Sequence, residues 1–127
     1  MVISCGASAV LDSAISGLAG EGDEVVTFSP FYPNYGSLTR KSGAQFKTVD
    51  IPKGDDNRYH YDFELFKNAL TPKTQAVMLT NPHNPTGKVL TSEDIKTISE
   101  ILDKYAPQAW VITDDVYNNL TFDGLKY

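Results

Sequence analysis

Four short clusters of residues carry the groups that could do chemistry in this chain. They are Gly6-Ala7-Ser8, segment 29–35 with Tyr32 and Tyr35, segment 81–87 with Asn84, and segment 114–117 with Asp114 and Tyr117. The first cluster precedes a predicted helix, where unpaired backbone N–H groups and the helix dipole favour a phosphate. The others supply a carboxylate, an amide and phenols, which bind polar groups by hydrogen bonds. Each cluster alone also has a structural explanation, because turns, loops and helix caps use the same residue types.

The clusters follow apolar segments of strand length. Strands are predicted at residues 24–28, 46–51, 76–79 and 110–113, and all four are too uniformly apolar for a half-exposed sheet. Helices are predicted at residues 7–19, 62–70 and 92–105, the last with its apolar side chains on one face. Buried strands that alternate with helices predict one α/β domain, a mostly parallel sheet with helices on both faces. Ligands of such sheets bind at the carboxyl ends of the strands, where the clusters lie.

The apolar face of the last helix is predicted to consist of Ile95, Ile98, Ile101, Leu102 and Tyr105. Thr91 or Ser92 is expected to cap this helix, with acidic residues favourably placed in the first turn. Segment 52–60 is polar and rich in turn formers, which predicts a surface loop.

The composition argues against several classes of function. The chain has 16 acidic and 11 basic residues, a net charge of -5 and no basic block, which favours neither nucleic acid nor an anionic membrane surface as a partner. No segment reads as a secretory signal or is long enough to span a membrane. Cys5 is the only cysteine, so an intrachain disulfide is impossible and a zinc site is not expected. These features predict a reducing, cytoplasmic setting.

Several other reactive residues are expected to be structural. His60 and His83 are predicted to be surface or loop residues, because neither has the Ser, Cys or Asp arrangement of a nucleophilic triad. Lys88 is expected to face solvent. Asp114 and Asp115 form an acidic pair, but no further ligands lie near it in sequence, so no metal site is predicted.

Together and in this order, the clusters resemble the class I and II aminotransferases, which are fold-type I enzymes that use pyridoxal 5'-phosphate (PLP). The most specific part is Asn-Pro-His-Asn-Pro-Thr-Gly at residues 81–87. Support comes from Gly22-Asp23-Glu24-Val25, from Pro30 with Tyr32 and Tyr35, and from Asp114 with Tyr117. The resemblance covers essentially the whole chain and departs mildly at Asp115, where many members have Glu. It implies that residues 1–127 are part of the large PLP-binding domain, which is incomplete here.

The resemblance implies a partner for the phosphate and the ring of PLP. The backbone N–H groups of Ala7 and Ser8 hold the phosphate, the Ser8 hydroxyl adds a hydrogen bond, and Gly6 permits the close approach. Tyr32 stands at the position of the aromatic residue that stacks on the ring.

The resemblance also implies partners for the polar atoms of the ring. Asp114 matches the acid that pairs with the pyridine nitrogen and keeps it protonated, so that the ring accepts electrons from the substrate carbanion. Tyr117 and Asn84 match the residues that donate to the phenolic oxygen, and Asn84 also reaches towards the substrate carboxylate. Tyr35 is too generic to indicate a substrate.

The family's Schiff-base lysine lies downstream of the Asp114 and Tyr117 pair, in a serine-rich motif that does not occur in this chain. No catalytic residue is therefore predicted here, and the abrupt start and the end at Tyr127 suggest a truncated product. The resemblance implies a homodimeric parent that transfers an amino group from an amino acid to a 2-oxo acid. The chain alone is expected to be inactive.

Three alternatives stay open at the level of sequence. A PLP-dependent carbon-sulfur lyase or cyclopropane-forming synthase would share the same cofactor residues. A non-catalytic PLP-binding module would share them too, as in regulators that contain an aminotransferase-like domain. A flavodoxin-like domain unrelated to PLP would require the four clusters to coincide by chance.

Overall fold

The structure is a computed structural model that describes residues 3–120 and Phe122. Helices and strands alternate along it as α1 (Ala7–Leu18), β1 (Glu24–Ser29), α2 (Asn34–Ser42), β2 (Gln45–Asp50), α3 (Phe63–Ala69), β3 (Thr74–Thr80), α4 (Ser92–Tyr105) and β4 (Trp110–Asp114). All strand pairs are parallel, and the sheet has the order β2-β1-β3-β4. The predicted α/β fold is confirmed.

Helices cover both faces of the sheet. Successive residues of a strand point to opposite sides, so they pack against different helices. One core contains Val25, Ala76 and Met78 of the central strands together with Leu11, Ile15 and Tyr35 of α1 and α2. The other contains Val26, Val77 and Leu79 together with Phe66, Ile98 and Leu102 of α3 and α4. The central strands β1 and β3 are therefore buried on both sides, as predicted.

The helix α2 was not predicted. Its buried residues are Tyr35, Gly36 and Thr39, so its inner face has one large apolar side chain and the usual hydrophobic periodicity is weak. Gly43 ends it in the left-handed conformation at φ 89°, which is a common helix stop.

The prediction that all four strands are buried is wrong for β2 and β4. Only Val49 is buried in β2, and in β4 Trp110 and Val111 are 63% and 45% exposed. Both strands lie at the edges of the described sheet, so each has a neighbouring strand on one side only. Apolar composition predicted the strands correctly but could not distinguish an edge position from a central one.

The helix α4 begins and ends where the sequence predicts. Thr91 is its N-cap, and Asp94 completes a capping box through reciprocal hydrogen bonds with Thr91. Its predicted apolar face is only partly buried: Ile98 and Leu102 lie in the core, whereas Ile95 and Tyr105 are 51% and 40% exposed. Ile95 lies at one border of the apolar stripe, and Tyr105 is the last residue of the helix.

Segment 52–60 is an exposed loop, as predicted. An isolated antiparallel β-bridge joins Lys53 and Tyr59 within it. Within residues 3–120 and Phe122, no helix combines the length and apolar character needed to cross a membrane.

Candidate functional site

The carboxyl ends of β1, β3 and β4 bring most of the predicted site residues together. A cavity of about 190 Å³ there is lined by Ala7, Ser8, Leu11, Tyr32, Thr80, Asn84, Asp114, Val116 and Tyr117. Gly6 precedes this lining directly, and the other predicted site residues are all part of it. After β1 the chain forms β2 on one side of β1 and then β3 on its other side. Such a reversal of strand order opens a crevice at the carboxyl ends of the strands.

The start of α1 supplies backbone donors to this cavity. Gly6 is the N-cap with φ 102° and ψ 166°, a conformation that strongly favours glycine. Its carbonyl accepts hydrogen bonds from the N–H groups of Ala9 and Val10. The N–H groups of Ala7 and Ser8 come before these two bonded N–H groups in the chain, and they have no carbonyl partner within the helix. The first turn contains no acidic side chain, so this helix start is electrostatically open to an anion.

Asp114 is fixed at the end of β4 by hydrogen bonds to both of its carboxylate oxygens. The Tyr35 hydroxyl donates to Oδ2 at 2.7 Å, and the backbone N–H of Val116 donates to Oδ1 at 3.3 Å. Thr80 on β3 is the register partner of Asp114, so two neighbouring strands end at the same level. A half-buried carboxylate in this position can pair with a cationic nitrogen of a ligand.

Tyr35 is the site residue to which sequence reasoning gave no role. Its side chain is 1% exposed, and its hydroxyl lies 2.6 Å from Thr80 Oγ1 as well as 2.7 Å from Asp114. Because Tyr35 donates to Asp114, the Thr80 hydroxyl donates to Tyr35. Burial raises the pKa of Tyr35 well above its usual value, and the neighbouring Asp114 acts in the same direction. The phenol therefore stays protonated and remains a donor near neutral pH.

The Tyr32 ring is held at the cavity wall by two contacts. It meets Tyr35 edge to face, with centroids 5.6 Å apart and an angle of 82°, and its hydroxyl accepts a hydrogen bond from Asn34 Nδ2 at 2.9 Å. The half-buried ring is thus fixed before any ligand enters.

Asn84 and Tyr117 come from different loops and meet in the cavity. The Asn84 side-chain amide donates to the Tyr117 hydroxyl at 3.4 Å, which is a long hydrogen bond. The loop that carries Asn84 is joined to β4 through Asn81, whose N–H donates to the Asp114 carbonyl at 3.3 Å. An amide and a phenol placed side by side can both donate to one oxygen of a ligand.

The expectation for His83 holds for its loop position but not for surface exposure, and the expectation for Lys88 needs correction. His83 lies in a loop, but it is 6% exposed rather than on the surface, and burial lowers its pKa. Lys88 is half-buried rather than solvent-facing, and it does not line the cavity at Asp114. Loop position alone therefore did not predict exposure.

A larger groove, of about 1140 Å³, lies elsewhere, between α4, β4 and the loops at residues 56–60 and 86–92. Its walls include apolar residues such as Leu90, Ile98 and Leu102, and no predicted site residue lines it. In the described part of the chain, no group of three or more His, Cys, Asp or Glu residues is arranged to hold a metal ion.

Comparisons with known proteins point to one family. The family model described as aminotransferase class I and II matches residues 1–127. The kynurenine–oxoglutarate transaminase of Dictyostelium discoideum is 34% identical over 140 aligned positions, which cover 100% of this chain and 32% of that protein.

The comparison with solved structures agrees with this family match. The N-succinyldiaminopimelate aminotransferase of Mycobacterium tuberculosis is 36% identical and superimposes with a TM-score of 0.88, over 98% of this chain and 32% of that chain. Cystalysin of Treponema denticola, solved with PLP, shares the fold at 19% identity and a TM-score of 0.89, over 98% and 31% of the two chains. The chain spans about a third of the length of the curated relatives that it matches.

Proposed function

Since the chain belongs to the class I and II aminotransferases, we propose that it forms part of the PLP site of an enzyme that transfers an amino group from an amino acid to a 2-oxo acid. PLP is the cofactor of this family. The observation that carries the proposal is the position of Asp114, whose carboxylate shares one cavity with the start of α1. An acid and an anion-binding helix start in one cavity suit a ligand with a cationic ring nitrogen and a phosphate.

The groups in the cavity fit the chemistry of PLP. When bound, PLP acts as an electron sink for the substrate. The N–H groups of Ala7 and Ser8 would hold its phosphate, and Tyr32 would pack against its ring. Asp114 would hold a proton at the ring nitrogen, because an ionised carboxylate stabilises a neighbouring cation.

Asn84 and Tyr117 would orient the ring through its phenolic oxygen. Their amide and hydroxyl groups lie within 3.4 Å of each other, so both would reach the phenolic oxygen. The cavity of about 190 Å³ is smaller than the roughly 300 to 1,000 Å³ of ordinary ligand pockets, which agrees with a site that other parts of a longer enzyme complete.

The proposal extends to the whole enzyme. Residues 1–127 form part of its large domain, the enzyme is a cytoplasmic homodimer, and an amino acid and a 2-oxo acid are its substrates. The dimer is supported by the family resemblance, and the location by the low cysteine content of these 127 residues, which is typical of proteins in reducing compartments.

A titration of the purified chain with PLP tests the cofactor site. We expect a saturable change in PLP absorbance, and Asp114→Asn should raise the Kd by about 10- to 100-fold, because a hydrogen bond to a charged group contributes about 1.5 to 3 kcal/mol. Asp115→Asn is the matched control and should bind like the unmodified chain. The proposal is wrong if the folded chain shows no saturable binding, or if both variants bind equally.

A further inference from the structure

A buried histidine lies in the loop that carries Asn84 and does not line the cavity. The His83 side chain is 6% exposed, and its Nδ1 atom lies 2.8 Å from Thr86 Oγ1. The loop folds around this residue, since the His83 N–H donates to the Lys88 carbonyl at 2.8 Å and the His83 carbonyl accepts from the Gly87 N–H at 2.7 Å. The backbone of His83 is thus part of a closed turn.

The hydrogen bond at Nδ1 favours one neutral form of the ring. Thr86 Oγ1 accepts from the Lys88 N–H at 3.2 Å, which leaves its own hydrogen free to be donated to Nδ1. The ring also packs edge to face on Tyr61, which in turn packs on Phe28 of β1 with ring centroids 4.8 Å apart. A neutral imidazole has one acceptor and one donor nitrogen. With Nδ1 as the acceptor, Nε2 carries the hydrogen.

We propose that His83, as the neutral Nε2–H tautomer, is a positioning residue that anchors the loop of residues 81–87 against Tyr61 and Phe28, at the carboxyl end of β1, and thereby fixes Asn84 beside Tyr117. Asn84 immediately follows His83, so a shift of the histidine would move the amide in the cavity. The inference concerns the chain itself, and it rests on the proposed function only where it extends to PLP binding.

The surroundings of the ring favour the neutral form. Burial lowers the pKa of His83, and the nearby backbone of Phe28 opposes this effect. The titratable side chain in contact with the ring is Tyr61, at 6.3 Å between centroids, and burial and the charge of Asp94 raise its pKa, so it stays neutral. Lys88 meets His83 through backbone atoms. The stability that neutral His83 contributes is therefore present above pH of about 6.5 and is lost as the pH falls further.

The tautomer can be measured directly by long-range ¹H–¹⁵N NMR on the ¹⁵N-labelled chain without cofactor. The chain has two histidines, and the exposed His60 is the reference in the same spectrum. At pH 7.5 we expect the His83 signals of a single Nε2–H tautomer. A protonated ring, the Nδ1–H tautomer or a mixture of tautomers at this pH would overturn the proposal.

Variants test whether the ring positions Asn84. His83→Phe removes both ring nitrogens, whereas His83→Gln keeps a side-chain oxygen that can accept from the Thr86 hydroxyl. We expect the side-chain amide signals of Asn84 to shift and broaden in His83→Phe, to recover in part in His83→Gln, and to stay unchanged in the control His60→Gln. Unchanged Asn84 signals in folded His83→Phe would contradict the inference. If that variant does not fold, the tautomer and His83→Gln decide the question.

Binding of PLP provides the link to function. His83→Phe should raise the Kd for PLP about tenfold, and His83→Gln should raise it less. A Kd in folded His83→Phe equal to that of the unmodified chain would also count against a positioning role. If the unmodified chain binds no PLP, the proposed cofactor site fails, whereas the tautomer and the Asn84 signals still test the role of His83.

Discussion

Asp114 receives hydrogen bonds from two elements that are far apart in the chain. The Tyr35 hydroxyl comes from α2, and the Val116 N–H comes from the turn after β4. Thr80 extends this arrangement into a chain of hydroxyl groups that ends on the carboxylate. Such chains strengthen each member, and a buried hydroxyl that loses its partner carries the full cost of desolvation.

Tyr35→Phe is therefore expected to lower the free energy of unfolding by about 1 to 3 kcal/mol, because it leaves Thr80 and Asp114 without the phenol. Urea denaturation measures this difference. Tyr32→Phe is the matched control, since its exposed hydroxyl contacts only the Asn34 amide among the described hydrogen bonds. Equal stability of the two variants would show that the hydroxyl chain contributes nothing measurable.

The sequence predicted which residues meet in the cavity better where those residues lie near strand ends or a helix start than where they depend on packing. Ala7, Ser8, Asn84 and Asp114 lie at strand ends or at a helix start, where short-range patterns place them. Tyr35 contacts Asp114 across 79 positions of sequence, and this contact requires α2 to lie on the correct face of the sheet. No short-range pattern contains that information.

At the scale of elements, α4 has a complete set of local signals. The Thr91 hydroxyl accepts from the Asp94 N–H at 3.1 Å, and the Asp94 carboxylate accepts from the Thr91 N–H at 2.8 Å. The helix packs Ile98 and Leu102 into the core. Its start is therefore determined locally and its orientation by burial.

Thr91→Ala should destabilise the chain by about 1 kcal/mol, because it removes the side-chain half of the capping box. Thr97→Ala, within the same helix, is the control, since the exposed Thr97 hydroxyl only donates to the Glu93 carbonyl. Thermal unfolding followed by circular dichroism compares the two. If Thr97→Ala lost as much stability as Thr91→Ala, the lost cap would not be the cause of the destabilisation.

Elements differ in how much of them could be predicted from sequence, and the differences have physical causes. The helix α4 combines a cap with a periodic apolar face, so its bounds were predicted correctly. The helix α2 buries Gly36 and Thr39, which no hydrophobic pattern identifies. The strand β4 has the composition of a buried strand, but its exposure depends on which strands flank it.

At the scale of the whole molecule, the cavity that we propose as the PLP site has no amine to react with PLP among the described residues that line it. No lysine is among the residues that line the cavity in the described part of the chain. Amino transfer in this family depends on a lysine that forms the Schiff base and moves the substrate proton. Binding and catalysis should therefore be separable in this chain.

The purified chain, mixed with PLP, an amino acid and a 2-oxo acid, should form no new 2-oxo acid beyond the rate of free PLP. Acidic, aromatic and branched amino acids should be tested in parallel, and the product can be quantified by chromatography. PLP without protein is the control. A protein-dependent rate would mean that another base serves in this chain.

The most direct test of the central claim is a ¹H–¹⁵N NMR titration of the labelled chain with PLP, because it locates the ligand as well as detecting it. We predict shifts at Ala7, Ser8, Asn84 and Asp114, with the shifts at Ala7 and Ser8 weakened when pyridoxal, which lacks the phosphate, replaces PLP. Shifts confined to the groove around Ile98 and Leu102, or no saturable shifts at all, would contradict the assignment of the cavity as a PLP site.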